Sequence, residues 1–122
     1  MATTTVIISN PIGGKRYTDT AASNSAVNAV SGSSTIYHIE FDNTANAAVT
    51  YLKIYEATSV TLGTTEPSII VKAAASTKEY VSIPMGLALG TGISYVATTT
   101  ASNSAGSPAA PGTACGLTFI YS

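Results

Sequence analysis

His38, Glu40 and Asp42 occupy alternate positions of the stretch TIYHIEFD, the first place in this 122-residue chain where chemistry can be sought. An imidazole and two carboxylates are donors for a divalent cation. On a strand, however, alternate residues share a face about 7 Å apart, whereas metal ligands converge on one atom at about 2 Å. Without ligands from adjacent strands, the trio reads as a polar outer face. Cys115 and His38 would be the nucleophile and base of a thiol mechanism. The thiol's neighbours Ala114, Gly116 and Leu117 offer nothing to lower its pKa, and a small buried hydrophobe is a sufficient account of it. The six acids are scattered, with only Glu40 and Asp42 sharing an element, and the sequence supports no glycosidase pair. Gly13-Gly14 and the glycines at 86, 90 and 92 lack the strand–loop–helix context of a phosphate cradle. No catalytic residue, metal site or cofactor is assigned, and the chain is expected not to be an enzyme.

The tyrosines are the remaining chemical feature. Tyrosine combines a large flat face with one polar tip and is enriched where proteins meet partners. Tyr51, Tyr55, Tyr80 and Tyr95 fall on or beside predicted strands. With Lys53, between the first two, they form the candidate interface.

Composition narrows the classes further. Charged residues make up 9% of the chain, against about 25% in an ordinary domain. The net charge of -1 gives little self-repulsion. Thr, Ser, Asn and Ala fill the surface instead, and they cost less to cover than ionised heads. The Lys and Arg residues are scattered except for Lys15-Arg16, so a nucleic-acid partner is not expected. No run reaches the roughly 18 apolar residues of a membrane span, and the first residues, MATTTVIIS, do not have the pattern of a secretory signal. With Cys115 as the one cysteine there is no intrachain disulfide.

The elements that would position these residues are strands. Ile and Val dominate the large aliphatics, and Leu is sparse. Residues 3–9 (TTTVIIS) form a β-prone run closed by Asn10-Pro11. Residues 15–34 are small and polar without a clear period, and Ala26 to Val30 would accommodate a helical turn. Residues 1–34 are therefore expected to be an arm with one short strand. Tyr37, Ile39 and Phe41 alternate with the polar trio. Leu52 and Ile54 face the core, leaving Tyr51, Lys53 and Tyr55 outside. Further strands are predicted at 68–73, at 78–83 with Pro84 as its stop, at 93–99 and at 115–121. The expected fold is an all-β, single antiparallel β-sandwich of about seven strands, jelly-roll or immunoglobulin-like, over residues 35–122.

The order Tyr51-Leu52-Lys53-Ile54-Tyr55, Gly63-Thr64, Pro67, the hairpin from Val71 to Tyr80, Pro84-Met85-Gly86-Leu87 and Gly90-Thr91-Gly92-Ile93-Ser94-Tyr95 resembles small β-sandwich virion proteins of tailed bacteriophages. The resemblance implies a capsid decoration (cement) subunit or a neck, tail or fibre component. It also implies a homo-oligomer, commonly a trimer, contacting a major capsid or other virion protein, with the particle assembled in the host cytoplasm. A receptor- or glycan-binding tail or fibre module, using the tyrosines, is the alternative.

Overall fold

The computed structural model describes residues 14–122, which form eight strands and no helix. They are β1 (Lys15–Ala22), β2 (Val27–Ser31), β3 (Ser34–Asp42), β4 (Thr50–Tyr55), β5 (Ile69–Ala73), β6 (Lys78–Leu89), β7 (Gly92–Thr98) and β8 (Cys115–Tyr121). Two antiparallel sheets of four strands result, one in the order β1-β8-β3-β6 and the other β2-β7-β4-β5. Every connection except β4–β5 passes from one sheet to the other. Between the sheets lies one core, with Ile36, Ile39, Phe41, Leu117 and Phe119 from the first sheet and Leu52, Ile54, Ile93, Tyr95 and Ala97 from the second. Leu52 and Ile54 point inward as their alternation predicts.

The expected arm is in part sandwich. The run 3–9 lies outside the described residues, but residues 15–34 hold β1 and β2, which pair with β8 and β7. Neither strand has a regular apolar alternation. β1 (KRYTDTAA) has one large apolar side chain, Tyr17, packed on the core. β2 (VNAVS) changes register between Asn28 and Val30, which breaks its period of two. Both are edge strands, where half the backbone pairing suffices.

Pro84 does not end β6. The register steps from His38↔Ser82 to Ile36↔Leu87, so residues 83–86 stand opposite Tyr37 alone. Pro84 sits in this bulge on an edge strand, where a missing N–H costs no ladder bond. Gly86 completes the bulge with φ +82°, and a Cβ there would lie 2.4 Å from Thr35 Cγ2. The same irregularity moves Ile36 into the core and leaves Tyr37 half-buried, whereas plain alternation had assigned Tyr37 inward.

Three of the inter-sheet crossings meet at two buried asparagines. Asn43 Nδ2 donates to the carbonyls of Ala48 (3.0 Å) and Ala74 (3.1 Å). Asn46 Nδ2 donates to Asn43 Oδ1 (3.0 Å) and to the Thr113 carbonyl (2.8 Å). Asn46 Oδ1 in turn accepts from the Thr113 amide (2.7 Å). The β3–β4, β5–β6 and β7–β8 connections are thereby joined through buried side chains. Removing Asn43 strands several of these groups at once. Asn43→Ala should cost about 3 kcal/mol in chemical denaturation, against about 1 kcal/mol for Asn24→Ala, which loses one bond to the Pro108 carbonyl. Equal, small losses would contradict this account.

Candidate functional site

The two sheets present very different outer faces. That of β2-β7-β4-β5 is covered. The 99–114 connection lies over it as a strap, and all seven residues of β7 are buried. Thr98 Oγ1 donates to the Ala109 carbonyl (2.7 Å), and the Thr99 amide donates to the same oxygen (3.1 Å). Asn24 Nδ2 holds the strap at the Pro108 carbonyl (2.9 Å). From beneath, Lys53 Nζ donates to the Ser102 carbonyl (2.6 Å). Gly63, in the β4–β5 connection, meets the strap at its other side, since a Cβ there would lie 3.0 Å from the Gly106 nitrogen.

This covering decides the fate of the five candidate interface residues. Tyr51, Lys53 and Tyr55 do line the outer face of β4, opposite Thr98, Val96 and Ser94 of β7. Yet Lys53 and Tyr55 are buried there and Tyr51 is half-buried. Desolvation lowers the Lys53 pKa, with the negative charge of Glu66 opposing the fall. It raises that of Tyr55, with Glu66 adding to the rise. Tyr95 points into the core, where its hydroxyl donates to the Asp19 carboxylate and meets the Tyr17 hydroxyl at 2.9 Å. Burial, then these hydrogen bonds, push its pKa upward. Of the five, Tyr80 is well exposed, at 60%, and it lies on the other sheet. Lys53, Tyr55 and Tyr95 therefore have no surface to offer: the strap covers Lys53, Tyr55 is buried on the same face, and the strand's phase turns Tyr95 inward.

The outer face of β1-β8-β3-β6 is open and polar. Cross-strand register sets Arg16, Ile120, His38 and Ser82 in one row, and Thr18, Thr118, Glu40 and Tyr80 in the next. Gly116, Asp42 and Lys78 form a third. His38 Nδ1 lies 3.2 Å from Ser82 Oγ, and its ring lies 6.3 Å from that of Tyr80. Lys78 Nζ stands 3.2 Å from Glu40 and 3.7 Å from Asp42. A half-open cleft of about 150 Å³ runs between β1 and β3 over β8, lined by Thr18, Asp19, Thr20, Glu40, Asp42, Gly116, Leu117 and Thr118. Hydroxyls and carboxylates make it an acceptor-rich surface.

His38, Glu40 and Asp42 share this outer face, strung along β3 as their spacing predicts. Among the described residues no three of His, Cys, Asp and Glu are grouped to hold a metal ion. Cys115 faces the opposite way, buried beside Asn43 and Asn46, and desolvation pushes its thiol up to about 11. His38 and Cys115 are not brought together. The cleft was not legible in the sequence, since β1 supplies one wall and gives no strand signal.

Comparison with protein-family models, with curated proteins and with solved structures returns no match.

Thr44 donates to Asp42 Oδ1 from its hydroxyl (2.5 Å) and its amide (2.9 Å). These bonds hold the Asp42 pKa below the ordinary 3.8; Lys78 assists, and partial desolvation opposes. A carboxylate depressed on folding stabilises above its unfolded value, and that contribution disappears as pH falls through the folded one. Asp42→Asn should therefore flatten the loss of stability below about pH 4. Denaturant midpoints between pH 2 and pH 6, as a range of about four units, would read this; parallel curves for the two proteins would refute it.

Proposed function

We propose that this chain is an eight-stranded jelly roll serving as a bacteriophage virion structural protein, a capsid decoration subunit that works as a homo-oligomer. The observation carrying the reading is strand order. Orders 1-8-3-6 and 2-7-4-5, with nearly every connection crossing between sheets, are those of two interleaved Greek keys, an architecture used by viral capsid and lectin domains. The charge-poor exterior and the resemblance of residues 41–99 to phage virion proteins point the same way.

The exposed large hydrophobics favour a lateral contact. Ile70 (42% exposed), Tyr80 and Met85 (94%) all belong to β5 and β6, the edge strands at one side of the sandwich. Ile70 flanks that side from one sheet, and Tyr80 with Met85 from the other. A free edge offers unpaired backbone groups to another chain. A second copy of this chain is its occupant in the trimer, and the polar face of the first sheet is left for the shell protein. In this reading the protein carries out no catalysis, needs no cofactor and resides in the virion.

A glycan-binding role at a tail or fibre tip is favoured by a different feature, the acceptor-rich cleft. Carboxylates and hydroxyls there would accept from sugar hydroxyls, and Tyr80, beyond Glu40 in the same row, would offer a stacking face.

Sedimentation of the purified chain should give a trimer mass, and Tyr80→Lys with Met85→Lys should shift it to monomer without changing the circular dichroism. A monomer in the parent protein, up to millimolar concentration, would defeat the decoration reading. Glycan-array binding lost in Tyr80→Ala, with the mass unchanged, would support the cleft instead.

A further inference from the structure

The sandwich has four edge strands, and three of them are irregular. β1 carries Lys15, Arg16 and Asp19, and its register shifts between Asp19 and Ala22. β2 shifts between Asn28 and Val30, where the Asn28 side chain donates to the Val30 carbonyl (3.0 Å). β6 holds the Pro84 bulge. Charges, bulges and proline are the features that keep an edge from pairing with another chain. β5 has little of this protection. Its residues Ile69, Ile70, Val71, Lys72 and Ala73 match β4 one for one without a register shift, and Lys72 is its one charge. Among the described residues β5 pairs with β4 alone, and Ile70 is exposed beside the free edge. A regular, apolar edge of this kind is a template for an added strand.

The sequence also holds a β-prone run that no element of the sandwich absorbs, residues 3–9 (TTTVIIS). It has no charge, glycine or proline, and Val6 and Ile8 alternate with Ile7. Ser9 lies six residues before Lys15, the start of β1. β1 and β5 are opposite edges of opposite sheets. Four strand spacings and one sheet spacing separate β1 from the place beside β5, roughly 22 Å even in a straight line through the core. Six residues extend at most about 21 Å, and they would have to go around. The whole run therefore does not reach β5 of its own chain. We propose that residues 3–9 of one copy add as a strand to the free edge of β5 in the next copy. The added backbone pairs with the amides and carbonyls that β5 turns outward. Its apolar side chains lie beside Ile69 and Val71 on one face and Ile70 on the other. This rests on reading the β5/β6 side as the self-contact, and it names the segment that fills it.

Sedimentation and amide hydrogen exchange on three purified proteins test this: the parent, Ile7→Pro, and the chain lacking residues 2–9. The parent should be an oligomer in which the amides of residues 69–73 exchange slowly. Ile7→Pro keeps the length of the chain but removes a backbone donor from the added strand. Both altered proteins should sediment as monomers and exchange roughly tenfold faster across residues 69–73, with β3 and β8 unchanged. If the parent is an oligomer and either altered protein remains one, the strand exchange is overturned while the decoration reading stands. A monomeric parent overturns both. In that case, slow exchange in β5 that disappears with residues 2–9 would place the run on its own chain.

Discussion

The fold depends on satisfying backbone polar groups where the chain repeatedly leaves one sheet for the other. A crossing has no ladder to receive its carbonyls and amides, and a buried group without a partner is costly. Asn43 and Asn46 solve this at one end of the sandwich, where connections from three parts of the chain converge on two side-chain amides. Amides suit the task because each offers two donors and an acceptor without charge. An ionised side chain in the same place would carry a desolvation penalty that the surrounding alanine carbonyls could not offset.

The second constraint is the covering of one sheet. A strand buried on both faces, such as β7, needs material above it as well as below. The strap supplies this with small residues, and Lys53 reaches up to hold it. The result is an asymmetric molecule. One outer face is closed, the other is polar and open, and the exposed large apolar groups gather at the β5/β6 side. That asymmetry would let the proposed lateral self-contact and a separate polar contact coexist on one small domain.

Six of the eight strands were legible in the sequence, and those were the ones with large apolar side chains at alternating positions. Ile39 and Phe41 against His38, Glu40 and Asp42 is the clearest case. β1 and β2 were not legible, because edge strands need fewer large residues and β2 carries a register break. Pro84 read locally as a stop, yet an edge bulge accommodates it together with Gly86. The reading of Lys53 and Tyr55 as surface groups failed for a related reason. Phase along a strand separates its two faces, but it does not say whether something lies on top of the outer one.

Sequence alone determined that this is a charge-poor, all-β chain with Leu52 and Ile54 inside and a polar trio outside on β3. Those properties follow from composition and the period of two, which act over neighbouring residues. Only the tertiary structure decided strand order, the burial of Lys53 and Tyr55, and the cleft between β1 and β3. Each of these brings together residues distant in sequence, and the loop residues that do so have no periodic signature. Their positions are set by which backbone groups were left to be paired.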